Sequence, residues 1–361
     1  MSKIHNFSAG PSILPKHVFQ EASQAIVDYN GTGLSLLEMS HRSKEFVAVM
    51  DEARSLVKEI FNLGDDYEVL FLQGGASLGF LISAYNMLRE NKQGAYVNTG
   101  SWANKALKEG KWLGSAIEVA SSKDANYNFI PKDFVVPDNC DYLHYTSNNT
   151  IFGTEFHTIP QTDKPLVCDM SSDIFSRPVD ASKFDLIYAG AQKNMGPAGT
   201  TLYIVKKDVL GKSSVDIPTM LDLSTHASKD SMFNTPPVFA VYCSMLVLRW
   251  IKELGLESIG KTNQAKATAL YNEVDRNSMF KGTAQAEDRS LMNACFVLND
   301  GIDEALNSEF LNMCNDAGIS GVKGHRSVGG FRASMYNALP LESVEALVDV
   351  MKALETKCAE L

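Results

Sequence analysis

Short apolar runs recur through the first half of the chain, at 68–72, 95–98, 142–145, 165–169 and 185–191, each too short for a helix and bounded by turn-forming residues. Between them lie segments whose apolar positions follow a three-four rhythm. The clearest is Phe46, Val49, Met50, Ala53, Leu56, Val57, Ile60 and Phe61, one stripe of an amphipathic helix. Residues 78–88 read as a helix after the tight turn 73–77, and 238–251 is the most apolar helical stretch. Strands alternating with helices from about 16 to 258 predict a mostly parallel sheet with helices on both faces, an α/β arrangement. The order then changes. A helix near 262–280, a strand over 291–298, a helix near 303–317, a glycine-rich pair of short strands around 319–335 and a closing helix near 341–358 predict a small α+β domain. The N-terminal segment joins it, so the expected division is 16–258 for the large domain and 1–15 with 259–361 for the small one. The chain shows no internal repeat, low-complexity tract or long linker.

Composition narrows the function classes. At 361 residues and 45% hydrophobic, the chain buries a large core. A formal charge of -10 argues against nucleic acid as the main partner. The cysteines, Cys140, Cys168, Cys243, Cys295, Cys314 and Cys358, lack metal-ligand spacing and predict free thiols in a reducing cytoplasm. The N-terminus lacks a basic region followed by an apolar core, and 238–251 is too short to span a bilayer, so neither secretion nor a membrane is expected.

Chemistry concentrates at the ends of the apolar runs. Lys193 follows the run 185–191 and is fenced by Gly196, Pro197 and Gly199. The carboxyl end of such a strand is where open α/β sheets hold ligands, and a desolvated amine there attacks carbonyls. The alternative is a lysine snorkelling at the sheet rim. Asp169 ends the run 165–169, where a buried carboxylate needs a cationic partner; a turn or cap is the alternative, and Asp173 is a rival. Gly74, Gly75 and Ser77 form either an anion-cradling turn before a helix or a plain turn. Asn234 and Thr235, held by Pro236 and Pro237, are a polar segment or an N-cap. Trp102 stacks on a ring or packs, Thr150 holds a hydroxyl or caps a loop, and Trp112 and Trp250 are assigned to packing.

Two basic clusters stand out in so acidic a chain. His41 and Arg42 precede a helix N-terminus, and His325, Arg326 and Arg332 lie close together in sequence. Arginine forks match carboxylate and phosphate oxygens two at a time, so both clusters read as local anion sites.

The motifs 6–11, 40–42, 188–194, 231–237 and 324–332, in this order, resemble those of the phosphoserine aminotransferase family, class V aminotransferases among the fold-type I pyridoxal phosphate enzymes. The resemblance implies a seven-stranded sheet in the large domain, pyridoxal 5'-phosphate as cofactor, and a homodimer with shared active sites. It implies that Lys193 carries the cofactor, Asp169 pairs with the ring nitrogen, Trp102 stacks on the ring and Thr150 meets the ring oxygen. Ala76, Ser77 and Gln192 would bind the cofactor phosphate, with Asn234 and Thr235 reaching it from the second subunit; some relatives carry arginine at the position of Ser77. His41, Arg42, His325 and Arg326 would share the distal phosphate or carboxylate of the substrate, and Arg332 its α-carboxylate. The implied reaction is amino transfer between glutamate and 3-phosphohydroxypyruvate in serine biosynthesis, giving phosphoserine, with a related activity on 4-phosphohydroxythreonine in pyridoxine synthesis. An alanine-glyoxylate type aminotransferase or a cysteine desulfurase would share Lys193 and Asp169, although the basic clusters argue for an anionic substrate. A non-enzymatic phosphate-binding module would leave Lys193 unexplained.

Overall fold

A computed structural model describes residues 4–360. The apolar runs become strands of a seven-stranded sheet in the order Tyr67–Leu72, Thr201–Lys206, Leu186–Gly190, Leu166–Asp169, Tyr142–Thr146, Gln93–Asn98 and Ser115–Ser121. Thr201–Lys206 runs antiparallel to both its neighbours, and the other pairings are parallel. The central strands Leu166–Asp169 and Leu186–Gly190 are buried at every residue, as expected of strands covered on both faces. Parallel register brings Thr146, Asp169 and Tyr188 side by side, so the carboxyl ends of neighbouring strands meet at one edge.

Helix Lys44–Phe61 is capped by Ser43, whose hydroxyl accepts from the Phe46 amide. Its apolar stripe faces the core shared with helix Val238–Leu254. Helix Gly75–Met87 begins three positions earlier than the sequence rhythm indicates, because the turn glycines themselves enter its first turn. The helix expected near 262–280 spans Leu256–Arg276, since Gly255, at φ 75°, breaks an otherwise continuous helical run after Leu254.

A second core lies around Phe280, Phe296, Phe310 and Phe331, under the antiparallel sheet Phe280–Gly282, Asn293–Leu298 and Phe331–Ser334. Helices Leu256–Arg276, Leu306–Asp316 and Leu341–Ala359 contribute to it. The two short strands near 319–335 do not form a hairpin of their own. Ile319–Ser320 pairs in parallel with His5–Asn6, while Phe331–Ser334 joins Asn293–Leu298. Residues 1–3 and 361, assigned from sequence to the small domain, lie outside the described residues.

Trp112 corrects a sequence assignment. It is 85% exposed, because helix Ser101–Leu113 buries Ala103, Ala106, Leu107 and Gly110, and position 112 falls off that face. Trp250 does pack, partly buried against the main core.

Candidate active site

The lysine loop folds tightly at the sheet edge. The carbonyl of Ala191 accepts from the amides of Lys193, Met195 and Gly196, which turns the chain back on itself. A Cβ on Gly196 would sit 2.4 Å from Ser244 Oγ, so glycine there lets helix Val238–Leu254 approach the loop. The N-terminal segment lies over the same loop. Ser12 Oγ donates to the Lys193 carbonyl at 2.5 Å and its amide to the Gln192 carbonyl at 3.0 Å, which gives a physical role to the chain around motif 6–11.

Lys193 Nζ donates to Thr150 Oγ1 at 3.0 Å. Burial pulls its pKa down to about 8; Asp169 opposes that pull and Arg332 adds to it. Asp169 ends its strand 3% exposed, with Oδ1 accepting from the Ser171 amide at 2.9 Å and the Ser171 hydroxyl at 2.6 Å. No partner among the described residues reaches Oδ2. Burial pushes the Asp169 pKa up, against the Ser171 hydrogen bonds and Lys193. Asp173 is buried too, but its carboxyl is taken by Ser147 and it lines a different, smaller cavity beside Arg177. The rival acid is therefore part of a structural cluster.

Lys193 and Asp169 border a cavity of about 140 Å³ whose wall also includes Gly75, Ala76, Ser77, Trp102, Thr146 and Gln192. Helix Gly75–Met87 starts here without a side-chain cap, after Gly74 at φ 105°. Its first-turn amides have no acceptor within the helix and form a ready anion site. Two buried polar atoms of the wall, Thr146 Oγ1 and Trp102 Nε1, have no hydrogen-bond partner among the described residues. Native proteins pair nearly all such atoms, so this wall is built for an occupant with polar groups. An uncapped helix start, a half-paired carboxylate and a neutralisable amine fit pyridoxal phosphate. Thr146, Ser171 and Ser12 were not singled out from sequence; each is a common polar residue whose role appears only when distant strands converge.

A basic rim adjoins this cavity. Lys105 Nζ lies 4.1 Å from the centroid of the Trp102 ring. Burial lowers the His325 pKa, and Arg332, Arg326 and Lys105 lower it further, which marks them as neighbours in one positive field. No carboxylate among the described residues pairs with Lys105, Arg326 or Arg332. Arg332 Nη1 donates to the Thr150 carbonyl at 3.3 Å. His41 and Arg42 stand just before Ser43 as expected, but they are not in the wall of the Lys193 cavity, and His41 Nε2 is buried without a partner. Asn234 and Thr235 meet Gln73: Asn234 Nδ2 donates to Gln73 Oε1 at 3.4 Å, and Gln73 Nε2 to the Thr235 carbonyl at 2.7 Å. They flank the turn 73–77 without lining the cavity of their own chain.

Comparison with known proteins agrees with this geometry. The family model described as aminotransferase class-V matches residues 4–347. The phosphoserine aminotransferase of Flavobacterium psychrophilum is 60% identical over 98% of this chain and 99% of that protein, and that of Bacteroides fragilis 57% identical over the same shares. Among solved structures, the phosphoserine aminotransferase from Bacillus circulans subsp. alkalophilus superposes with a TM-score of 0.95 at 44% identity, covering 99% of each chain. The pyridoxal phosphate-bound enzyme from Trichomonas vaginalis gives 0.92 at 35% identity, covering 97% of this chain and 100% of that one. An alanine–glyoxylate aminotransferase from Nostoc, at 16% identity and a TM-score of 0.75, shares the fold alone.

Proposed function

The chain belongs to the class V aminotransferases, and from that membership we propose that it transfers an amino group reversibly between L-glutamate and 3-phosphohydroxypyruvate, giving 2-oxoglutarate and O-phospho-L-serine, with pyridoxal phosphate as cofactor. The observation that carries this reading is the likeness to phosphoserine aminotransferases along nearly the whole chain. When bound, the cofactor supplies a carbonyl to receive an amine and a protonated ring that draws electrons from the substrate carbon.

The residues divide the remaining work. Lys193 would hold the cofactor through Nζ, and its amine, when free, would be the base that takes and returns the proton at the substrate Cα. Burial pulls its pKa down to about 8, so far more of it is neutral at neutral pH than of an exposed lysine. Asp169 offers its free oxygen to the ring nitrogen; a cation there offsets the burial that otherwise raises its pKa. Ala76, Ser77 and Gln192 would hold the phosphate, Trp102 would lie against the ring, and Thr150 would meet the ring oxygen. Arg332 takes the α-carboxylate, and His325, Arg326, His41 and Arg42 share the distal anion.

A homodimer completes the proposal. His41, Arg42, Asn234 and Thr235 do not line the cavity of their own chain; Leu34, Leu37 and Phe233 next to them are exposed, as are Phe19 and Val27 on helix Lys16–Val27. A second copy that covers those side chains brings the basic and amide groups to the neighbouring site. A cytoplasmic location belongs to the same reading, supported by cysteines that stand as free thiols. So does the division into 16–258 and the paired termini, supported by the separate cores. The test is the half-reaction of the purified, cofactor-loaded protein with glutamate, phosphoserine, alanine and aspartate, followed by visible absorption. Glutamate and phosphoserine should convert the absorbance fastest; alanine matching phosphoserine would replace this reading with another class V aminotransferase.

A further inference from the structure

A buried polar seam starts in the cavity wall, which Asn148 and Ser172 line, and runs from there into the small-domain sheet. Asn148 Nδ2 donates to Asn293 Oδ1 at 2.8 Å and to Ser172 Oγ at 2.9 Å, while Ser290 Oγ donates to Asn148 Oδ1 at 2.5 Å. Asn293 Nδ2 in turn reaches Ser334 Oγ at 2.9 Å and Tyr336 Oη at 3.3 Å, and Tyr336 Oη donates to the Ala9 carbonyl at 2.8 Å. All these side chains are buried. Asn148 and Ser172 lie at the carboxyl edge of the large sheet; Asn293 and Ser334 are opposite each other in the three-stranded sheet. The seam therefore joins the two sheets.

What it frames is Thr150. On one side of Thr150, Asn148 is tied to Asn293; on the other, the Ile151 carbonyl accepts from Cys295 Sγ at 3.4 Å. Both anchors are on strand Asn293–Leu298, and Cys295 is the register partner of Arg332. Gly153, at φ 77°, lets the chain lie against this strand, since a Cβ there would come within 3.0 Å of the Asn293 carbonyl oxygen. Thr150 then takes Lys193 on its hydroxyl and Arg332 on its carbonyl. The lysine and the arginine are linked through one residue, and that residue is held by the seam. A fully paired buried network has a single low-energy arrangement, because moving any member strands polar atoms without water.

We propose that the Asn148–Asn293 seam is a positioning device that fixes Thr150 and, through its carbonyl, Arg332 beside the Lys193 cavity, and thereby sets the affinity for the carboxylate shared by every amino-acid substrate. The proposal rests on the reading of Arg332 given above. Asn293, Ser334 and Gly153 do not line the Lys193 cavity, so they act through Thr150 and Arg332.

The test uses Asn293→Ala, Ser334→Ala and Gly153→Ala in the cofactor-loaded enzyme. Single turnovers with glutamate, phosphoserine and alanine should show half-saturation raised together, by roughly tenfold or more for Asn293→Ala, since a misplacement of about an ångström can cost up to about 10²-fold. Binding of glutarate, which has carboxylates and no amine, should weaken in calorimetry by a similar factor, while cofactor absorbance persists. Ser334→Ala removes one hydroxyl and should show a smaller rise of the same kind, which decides the matter if Asn293→Ala does not fold. A lowered Tm with wild-type half-saturation would overturn the proposal by leaving the seam a purely structural role. So would a rise confined to the substrates with a distal anion. If the wild type turned out to favour a substrate other than phosphoserine, the functional reading would fall, yet the common carboxylate would still test the seam.

Discussion

Two buried polar regions meet at Asn148, and they are built on opposite terms. In the seam the side-chain amides of Asn148 and Asn293 are both engaged, and the hydroxyls of Ser172, Ser290, Ser334 and Tyr336 complete the network. In the cavity alongside, Thr146 Oγ1 and Trp102 Nε1 have no partner among the described residues, Asp169 is paired there only through Oδ1, and a helix begins uncapped. Between these two regions the contrast is sharp: the seam pairs its own polar groups, and the cavity wall leaves open groups that a ligand would complete. Substitutions in the two regions should therefore fail differently: in the cavity by losing chemistry with the fold intact, in the seam by losing alignment or stability.

The largest effect should come from Lys193→Ala. Loss of the proton-transferring amine alone removes roughly 10²–10⁴ in rate, and loss of attachment removes more. The visible absorbance of the lysine-bound cofactor should disappear while Tm and far-UV circular dichroism stay near wild type. Near-normal turnover would remove Lys193 from its role.

Asp169→Asn comes next, since it keeps the shape and deletes the charge. Turnover should fall by roughly a hundredfold or more with cofactor still bound, an effect typical of removing one preorganised electrostatic partner. A pH experiment sharpens the point. The neutral amine is the nucleophile, so capture of cofactor by the apoprotein should rise with pH through about 8. Asp169 raises the Lys193 pKa and Arg332 lowers it. Asp169→Asn should therefore move the capture profile to lower pH, and Arg332→Gln to higher pH. Coincident profiles would separate Lys193 from both neighbours.

The basic rim supplies a third contrast. Arg326 and Arg42 are exposed in the single chain, so if the second copy and the substrate desolvate them, Arg326→Ala and Arg42→Ala should each weaken glutamate and phosphoserine by roughly 2–5 kcal/mol, the range for losing one partner of such a charge pair. Cofactor affinity should hold, and alanine, lacking a distal anion, should respond little. Unchanged phosphoserine kinetics in Arg42→Ala would remove that residue from the substrate site, and with it one support for the shared dimeric site.

Legibility from sequence followed the same division. Strand runs, the helix Lys44–Phe61 and the strand-end positions of Lys193 and Asp169 all rest on local pattern, and the fold keeps them. Long-range pairing left no such mark: nothing local to Ile319 or Ser320 says that their strand partners are His5 and Asn6. Trp112 was misassigned because periodicity defines a face only relative to the residues that are actually buried, here the small Ala103, Ala106 and Gly110. The seam was invisible for a related reason. Its members are ordinary asparagines, serines and a tyrosine, far apart in the chain, and only their convergence gives them a role.

The smallest effect expected is also the most direct test of the contrast between open and closed polar groups. Thr146→Val replaces a buried, unpartnered hydroxyl with a methyl of nearly the same shape. Burying an unpaired hydroxyl is unfavourable by about 1–3 kcal/mol, so the apoprotein should be as stable as wild type or up to about that much more stable. The loaded protein should lose what the hydroxyl gave the cofactor, a single hydrogen bond of about 1 kcal/mol, or roughly fivefold in affinity. The same kind of change in the closed region, Ser334→Ala, breaks an existing bond and leaves Asn293 short of an acceptor, so it should destabilise the apoprotein. Thermal unfolding of both apoproteins, with cofactor titrations alongside, gives opposite signs if the cavity is built for an occupant. A destabilised Thr146→Val apoprotein would mean that its hydroxyl already serves the fold, and the distinction between the two regions would not hold at that position.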